Sequence, residues 1–406
     1  MKCGLLGRKL GHSYSPAIHS HLGNYSYELF EKEPEELEMF LKTGFFDGIN
    51  VTMPYKKSVI PFLDELTPAA NVLGAVNTIV RREGRLIGHN TDLFGFTSML
   101  EQSGLEVEGK KCLVCGSGGA SNTVCAVLKE RGAQVVILSR SGGTTYEDLL
   151  KHTDAAVVVN CTPVGMYPHT GQRPLDLASL PHLEGVLDVV YNPARTQLLL
   201  DAEALGLVHM NGLWMLVAQA AEASEWFQNR AIDRNLIRTI YGILKVSMEN
   251  IILIGMPGCG KSTLGRLLAQ RTGKAFVDSD EKIVEAAGMT IPEIFRLHGE
   301  EHFRRLEHQV LQNLGKESGL IIATGGGCVT RPENYAALHQ NGTIYWIQRS
   351  LDLLPTDGRP LSQSNRLEDL YNARKGLYAR FADGIVHNDG EAGAAVAAIL
   401  EKERFL

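Results

Sequence analysis

The sequence predicts an α/β protein with several domains. The chain has 406 residues, enough for two to four domains at roughly 100–200 residues each. Apolar runs at 110–116 and 249–255 each lead into a glycine-rich turn and then into a helical pattern. Strand, glycine turn and helix in that order build a phosphate site at a helix N-terminus. The chain is therefore expected to contain two different nucleotide-binding sites.

The composition is that of a globular chain, with 44% hydrophobic and 21% charged residues, both near the averages for soluble domains. The net charge of −6 lacks the basic excess of a nucleic-acid-binding protein, so no nucleic-acid partner is expected. No apolar run approaches the roughly 18–20 residues of a membrane span, and no signal-peptide pattern opens the chain. We therefore expect small-molecule substrates and no membrane partner, and the oligomeric state stays open.

Seven cysteines are scattered along the chain. An odd, scattered set favours a reduced, cytoplasmic protein over a disulfide framework. Cys112 and Cys115 form a C-x-x-C, but they lie in an apolar, strand-like run. We expect both thiols in a core rather than in a redox or zinc site.

The second glycine turn, Gly255–Ser262, is a complete P-loop pattern. Its glycines let backbone N–H groups close around phosphates, Lys261 reaches the β/γ-phosphates, and the Ser262 hydroxyl binds Mg²⁺. Asp278 and Asp280 end the next apolar run. Because alternate strand residues share a face, one carboxylate is expected to help hold Mg²⁺ and the other to accept a hydroxyl proton. This half is therefore expected to bind a nucleotide together with Mg²⁺, as the many ATPases and GTPases with a P-loop do.

Further motifs follow the P-loop in order: FRRLE, TGGG, GRPL and an A-R-x-x-L-Y segment. With them, the chain from Met248 onward resembles shikimate kinase. The resemblance implies that Asp280 orients or deprotonates the attacking hydroxyl, that Arg359 on a lid stabilises the transferring phosphoryl group, and that Asp278 positions Mg²⁺. It implies that the nucleotide is ATP. It also implies shikimate contacts from Asp280, Arg304, Gly326 and Arg374, and ATP contacts from Gly258, Cys259, Gly260, Lys261, Ser262 and Thr263.

The first glycine turn resembles that of a Rossmann domain, with a strand before it and a helix after it. An acidic residue that would bind the ribose 2′-OH of NAD is absent from the end of the second strand. The strand instead ends in Ser139, Arg140 and Ser141. Two hydroxyls and a guanidinium suit a ribose 2′-phosphate, which favours NADP over NAD. The turn lies far from the chain start, so residues 1–95 are expected to form a separate substrate-binding unit.

Polar signals are dense in that N-terminal unit. Ser13 and Ser15 precede a helix start at Pro16, in a segment expected to be extended because the residue before proline disfavours helix. Their hydroxyls can bind a carboxylate, although an ordinary Ser-Pro helix cap is the simpler alternative. Lys56 and Asp92 are suited to act as a general acid/base pair, in which the aspartate steadies the ammonium.

Seven motifs occur in order: H-S-x-S-P, N-V-T-x-P-x-K, G-A-V-N-T, N-T-D, G-x-G-G-A-S, N-x-T-P-x-G-M and D-x-x-Y-x-P. Residues 1–244 thereby resemble shikimate dehydrogenase. The resemblance makes Lys56 the catalytic acid/base paired with Asp92, and places Tyr191 near the substrate. It assigns the substrate carboxylate to Ser13 and Ser15, the hydroxyls to Thr52, Asn77, Asp92 and Gln219, and the cofactor to Gly116, Gly118, Gly119, Ala120 and Gly212.

The two resemblances together imply a bifunctional enzyme of the shikimate pathway, which serves chorismate and aromatic amino acid biosynthesis. The expected domains are 1–95 with 206–245 for substrate, 96–205 for NADP, and 248–406 for the kinase. The product of the first reaction would be the substrate of the second. Two alternatives remain: one half could be a non-catalytic regulatory nucleotide-binding module, or the dehydrogenase half could act on quinate.

Overall fold

The computed structural model describes residues 1–11, 13–140, 143–354 and 364–405. The chain divides into two compact units. The first contains Met1–Val164, Arg173–Tyr191 and Asp201–Ile243; the second contains Gly165–Gln172, Asn192–Leu200 and Leu244–Leu406. Among the described residues, none of the helices is both long and apolar enough to cross a bilayer. The predicted boundaries of the three domains stay predictions.

A mixed, six-stranded sheet opens the first unit. Its strands are Lys2–Gly7 (β1), Ser26–Glu31 (β2), Gly48–Val51 (β3), Glu65–Leu66 (β4), Thr78–Arg82 (β5) and Arg85–His89 (β6), in the spatial order β2-β1-β3-β5-β6-β4. β5 runs antiparallel to both neighbours, so Thr78 pairs with Asn50 on one side and His89 on the other. The end of β3, the start of β5 and the end of β6 therefore meet at one edge.

The second sheet has five parallel strands, as the Rossmann-type turn predicts. They are Lys111–Cys115 (β7), Gln134–Leu138 (β8), Val157–Asn160 (β9), Gly185–Asp188 (β10) and Val208–Met210 (β11), in the order β11-β10-β9-β7-β8. The strand order reverses between β7 and β9, which is where doubly wound sheets bind ligands. Cys112 and Cys115 are fully buried in β7, as expected.

The third sheet lies in the second unit and is also parallel throughout. Its strands are Asn250–Ile254 (β12), Ala275–Asp278 (β13), Leu320–Ala323 (β14), Gly342–Gln348 (β15) and Gly384–His387 (β16), in the order β13-β14-β12-β15-β16. All of β12 is buried, which is why it reads as a continuous apolar run. The P-loop therefore leaves the centre of the sheet.

Fourteen α-helices are present in the described residues. Those of the dehydrogenase-like part are Ser15–His19 (α1), Leu37–Thr43 (α2), Pro68–Leu73 (α3), Asp92–Ser103 (α4), Gly119–Glu130 (α5), Gln197–Ala204 (α6), Leu213–Gln228 (α7) and Asn235–Met248 (α8). The remainder are Lys261–Thr272 (α9), Ser279–Ala287 (α10), Ile291–Lys316 (α11), Glu333–His339 (α12), Ser364–Phe381 (α13) and Ala392–Phe405 (α14). The helices α5 and α9 follow the two glycine turns, as predicted.

Candidate active sites

An ion pair lies at the converging edge of the first sheet. Lys56 Nζ donates to Asp92 Oδ2 at 2.6 Å. The other carboxylate oxygen, Oδ1, accepts from Asn77 Nδ2 at 3.0 Å, and this amide also reaches Gln219 Oε1 at 3.4 Å. The fold thus brings four of the predicted residues into one hydrogen-bonded group. An ammonium held in this way can exchange a proton with a substrate oxygen.

Local structure explains the position of Asp92. Thr91 ends the polar segment after β6, and its backbone N–H donates to Asn77 Oδ1 at 2.8 Å. Asp92 then occupies the first turn of α4, where the helix dipole favours a carboxylate. A Cβ on Gly95 would lie 3.1 Å from the Gln219 Cβ, so this glycine lets α4 and α7 approach closely. That approach places Gln219 beside Asn77.

The two serines lie in a turn that leads into α1, and here the predicted geometry is wrong. Ser15 is the first residue of α1, although the segment before Pro16 was expected to be extended. Pro16 occupies the first turn of the helix, where its missing N–H costs nothing. The Ser15 N–H donates to Ser13 Oγ at 3.2 Å. The ring of Tyr191 packs edge-on against Tyr14, with centroids 6.0 Å apart, so Tyr191 lies beside this turn.

The glycine turn after β7 has the shape that a pyrophosphate requires. Gly116 has φ +103°, a conformation that glycine adopts without strain. Side chains on Gly118 or Gly119 would meet nothing within 4 Å, so a ligand can approach the backbone at the start of α5. N–H groups at a helix N-terminus favour phosphate, and the turn therefore fits a dinucleotide.

The remaining predicted cofactor residues lie around the same sheet. Ser139 is buried at the end of β8 and Arg140 is exposed next to it; Ser141 lies outside the described residues. Gly212 precedes α7, and a Cβ there would come within 2.1 Å of the Val189 carbonyl oxygen. The need for glycine at this position is therefore explained by close packing alone.

The second site surrounds the P-loop. Gly255, Gly258 and Gly260 have φ values of +143°, +85° and +98°, so the loop depends on glycine at each. Lys261 Nζ donates back to the carbonyl oxygens of Gly255 and Met256 at 2.9 and 3.0 Å. These contacts hold the ammonium over the loop, where phosphates would replace the carbonyl partners.

Ser262 and Asp278 meet as predicted, but the position of Asp280 differs from the prediction. Ser262 Oγ donates to Asp278 Oδ2 at 2.7 Å. Asp278 ends β13, whereas Asp280 lies in the first turn of α10 rather than on the strand. Its backbone N–H donates to Asp278 Oδ1 at 3.0 Å. The two carboxylates are therefore related by a helix cap, not by strand alternation.

The glycine loop after β14 lies between the P-loop and two charged residues. Cβ atoms built on Gly325, Gly326 and Gly327 would come within 2.7 Å of Asp280, Pro257 and Arg304, respectively. There is no room for a side chain at these positions, so glycine lets the loop pack directly against its neighbours. The loop therefore lies in close contact with the P-loop, an acidic group and a basic group.

Arg304 is buried and held by two glutamates. Its Nη1 donates to Glu307 Oε2 at 2.8 Å, and its Nε reaches Glu300 Oε1 at 3.3 Å. Burial disfavours the charge on Arg304, but the attraction of Glu307 outweighs it and raises the pKa of Arg304. Burial likewise raises the pKa of Glu307, although Arg304 opposes this shift. The guanidinium stays charged and fixed, as anion binding requires.

Arg374 joins this site through the glycine loop. Arg374 Nη1 donates to the Gly326 carbonyl oxygen at 3.0 Å, and Tyr378 Oη donates to the same oxygen at 2.5 Å. Tyr378 and Asn388 were not predicted; Asn388 Nδ2 donates to the P-loop Cys259 carbonyl oxygen at 2.8 Å. No local pattern marks these two residues, because each contact joins positions far apart in the chain. Glu307 ends the FRRLE motif, one turn of helix after Arg304, but no role was predicted for it. The predicted lid residue Arg359 lies outside the described residues.

Each of these two arrangements defines a class of protein. A doubly wound sheet with an open glycine turn, next to a lysine–aspartate pair, is that of a dinucleotide-dependent oxidoreductase. A P-loop followed by two neighbouring aspartates and a buried arginine is that of a small-molecule kinase. The chain carries both sets of features.

Comparisons with known proteins identify a family within each of the two classes. Residues 5–79 match the family described as "Shikimate dehydrogenase substrate binding domain", and residues 257–403 match the family described as "Shikimate kinase". The shikimate dehydrogenase (NADP(+)) of Symbiobacterium thermophilum is 38% identical over 270 residues, covering 58% of this chain and 92% of that protein.

Solved structures agree with these sequence matches. Shikimate dehydrogenase 1 from Peptoclostridium difficile is 34% identical, with a TM-score of 0.55 over 60% of this chain and 97% of the other. A chorismate mutase/shikimate 5-dehydrogenase fusion protein from Clostridium acetobutylicum is 35% identical, with a TM-score of 0.57 and the same coverage. The chain belongs to the shikimate dehydrogenase family, and it carries a shikimate kinase domain fused to the dehydrogenase.

Proposed function

We propose that the first unit reduces 3-dehydroshikimate to shikimate with NADPH, and that the second phosphorylates the shikimate 3-hydroxyl with ATP. The contact between Lys56 and Asp92 at 2.6 Å supports the first reaction. The P-loop, with Ser262 bonded to Asp278 at 2.7 Å, supports the second. The first product is the second substrate, which gives the fusion a chemical reason.

In the dehydrogenase, bound NADPH supplies the hydride. Lys56 gives the proton that the substrate carbonyl oxygen needs as it becomes an alcohol, and the Asp92 carboxylate keeps the ammonium in place. The Lys56 side chain is 31% exposed, so solvent can restore the proton. We assign the substrate hydroxyls to Thr52, Asn77, Asp92 and Gln219, and the carboxylate to Ser13 and Ser15, with Tyr191 beside them.

The cofactor site supports NADP. We assign the pyrophosphate to the turn at Gly116, Gly118, Gly119 and Ala120, and the nicotinamide side to Gly212. Ser139 and Arg140, with Ser141, are assigned to the 2′-phosphate, because a guanidinium forms strong hydrogen bonds with phosphate. The same residues argue against the quinate alternative, for which an NAD-type acidic residue would be expected at the end of this strand. Comparing NADH with NADPH tests both points.

In the kinase, catalysis is mostly positioning and charge neutralisation. Asp280 accepts the proton of the attacking hydroxyl, and Lys261 with Arg359 neutralises the transferring phosphoryl group. We assign shikimate to Asp280, Arg304, Gly326 and Arg374. The nucleotide lies against the loop residues Gly258, Cys259, Gly260, Lys261, Ser262 and Thr263.

Mg²⁺ fits the oxygen atoms of Ser262 and Asp278. Among the described residues no group of three His, Cys, Asp or Glu side chains could hold a metal ion. Two protein oxygens nonetheless suffice for Mg²⁺, because this ion keeps several water ligands and also binds the substrate phosphates. Bound there, Mg²⁺ would neutralise phosphate charge.

The domain limits, 1–95 with 206–245, 96–205 and 248–406, belong to this proposal, as does a cytoplasmic location. All seven cysteines are free thiols, which supports a reducing compartment. The substrates we propose are small molecules, with no nucleic-acid or membrane partner.

A coupled assay on the whole chain tests the function, with 3-dehydroshikimate, NADPH, Mg²⁺ and ATP. NADPH loss and ADP formation are followed separately. We expect Lys56→Ala to lose NADPH oxidation but to keep ADP formation when shikimate is supplied directly. Lys261→Ala should lose ADP formation but keep NADPH oxidation with 3-dehydroshikimate. A wild-type chain in which one half is inactive on its own substrate would contradict the bifunctional proposal and make that half a regulatory or altered-specificity module.

A further inference from the structure

We infer that Asn388 is a positioning residue of the kinase: its side chain fixes the Cys259–Gly260 peptide of the P-loop so that the Gly260 N–H points toward the nucleotide phosphates. This inference rests on the proposed kinase function. The resemblance to shikimate kinase assigns no role to Asn388, which directly follows the edge strand β16 of the third sheet.

The side chain of Asn388 bonds to the main chain of the P-loop. Asn388 Nδ2 donates to the Cys259 carbonyl oxygen at 2.8 Å. A carbonyl oxygen can only accept, so the amide nitrogen of Asn388, and not its amide oxygen, must face the loop. Asn388 is 6% exposed and Cys259 is fully buried, so water does not replace this donor.

The topology of the sheet brings Asn388 to the loop. The strands β12, β15 and β16 are adjacent and parallel, so their carboxyl ends lie at one edge, where the P-loop leaves β12 and Asn388 follows β16. The Asn388 backbone N–H donates to the Gln348 carbonyl oxygen at the end of β15, at 2.8 Å. Gly260 makes the approach possible, because a Cβ there would lie 2.5 Å from Asn388 Nδ2.

The sequence of the loop does not by itself fix the orientation of this peptide. Gly260 has φ +98°, and glycine adopts positive and negative φ about equally readily. The backbone therefore offers little resistance to rotation of the Cys259–Gly260 peptide. A bond from Asn388, on another strand, selects one orientation.

The selected orientation presents a donor to the phosphate site. The carbonyl and the N–H of one trans peptide point in opposite directions, so the Gly260 N–H points away from Asn388. Gly260 is the N-cap of α9, where backbone N–H groups have no partner within the helix and suit phosphate. The Cys259 N–H, in contrast, is used inside the loop, where it donates to the Met256 carbonyl oxygen at 3.2 Å.

The test compares Asn388→Leu with wild type in direct calorimetric binding of ADP with Mg²⁺, and in phosphorylation of supplied shikimate. Leucine is similar in size to asparagine but has no donor. We expect Kd for ADP and KM for ATP to rise about tenfold, because a hydrogen bond to phosphate that persists through the reaction is weakened. The kcat should change less than threefold, and KM for shikimate should stay unchanged. The smaller Asn388→Ala should give the same result.

Two readouts separate positioning from a merely structural effect. Adenosine has no phosphate, so its inhibition constant against ATP should change less than twofold. Gln340→Met is the matched control: Gln340 is also 6% exposed, and its Nε2 donates to the Ala337 carbonyl oxygen at 2.8 Å. Gln340 precedes β15, at the amino end of that strand. Its replacement should lower the melting temperature about as much as Asn388→Leu does, but leave Kd for ADP unchanged.

Each outcome decides a separate point. An unchanged Kd for ADP in both Asn388 variants, an equal loss with adenosine, or an equal loss in Gln340→Met would each overturn the inference while leaving the kinase function intact. A wild-type chain that binds ADP without phosphorylating shikimate would overturn the proposed kinase function, and the Kd comparison would still test Asn388. A wild-type chain that does not bind ADP would overturn both.

Discussion

Asp92 shows how a single side chain can organise the acid/base chemistry. Its two carboxylate oxygens have different partners, Lys56 and Asn77. The amide of Asn77 and the first turn of α4 fix the carboxylate, and the fixed carboxylate then fixes the ammonium. Lys56 itself is more exposed than Asp92, with side-chain exposures of 31% and 11%. The proton is therefore held in a defined place and can still be replaced from solvent.

Replacing Asp92 with asparagine tests this account. The Asp92→Asn variant keeps the shape but removes the charge that holds Lys56. We expect dehydrogenase kcat to fall by about 100-fold or more, with kinase activity on supplied shikimate unchanged. Asp154→Asn is the control, since Asp154 pairs with Lys111 at the same 2.6 Å but is 63% exposed, and such pairs contribute little. Equal losses in the two variants would contradict the role of Asp92.

At the scale of single residues, the sequence predicted candidate site residues that directly follow a strand or a glycine turn, because motif spacing reflects local geometry. Lys56 and Asp92 were expected to form a pair, and they are in contact. Ser262 and Asp278 were each assigned to Mg²⁺, and the structure places them in hydrogen-bond contact. The extended conformation predicted for Ser15 was wrong. Proline is favoured in the first turn of a helix, and here this preference outweighs the tendency of the residue before proline to avoid helix. Asn388 was not predicted, because its contact with the Cys259 carbonyl oxygen joins two positions far apart in the chain.

At two places a helix packs closely against a neighbouring element because the residue at the contact is glycine, which has no side chain. The start of α7 packs on the segment after β10 at Gly212, and α4 packs on α7 at Gly95. The first approach leaves no room for a Cβ, which would lie 2.1 Å from the Val189 carbonyl oxygen. The local sequence does not show how closely the start of α7 approaches the sheet, because that contact is with a residue far away in the chain.

Gly212→Ala should therefore move the start of α7. We expect a loss of about 1–3 kcal/mol in the free energy of unfolding from overpacking, together with a raised KM for NADPH. Gly242→Ala is a matched control inside α8, where a Cβ meets nothing within 4 Å, and it should stabilise by about 0.5–1 kcal/mol. Melting temperatures and NADPH titrations check both. A Gly212→Ala chain as stable as wild type would show that the backbone relaxes there.

The whole molecule joins two units that each contain a parallel sheet and a glycine turn. The two turns predicted both sheets, because strand, turn and helix are adjacent in sequence. The assignment of Gly165–Gln172 and Asn192–Leu200 to the second unit was not predicted, since membership of a unit depends on long-range contacts that carry no local signal. What the sequence does indicate at this scale is chemical: the two proposed reactions share shikimate.

The simplest consequence of the fusion is a fixed ratio of two activities, with shikimate released between them. If that is so, an equal mixture of Lys56→Ala and Lys261→Ala chains should behave as wild type when both active sites are matched in concentration. ADP formation from 3-dehydroshikimate would show the same lag and the same steady rate, because a small, hydrophilic intermediate diffuses freely. Each variant's remaining activity, measured alone, must equal that of wild type. A shorter lag in the wild-type chain would instead require direct transfer between the sites, and isotopically labelled 3-dehydroshikimate would then still yield labelled shikimate 3-phosphate in the presence of excess unlabelled shikimate.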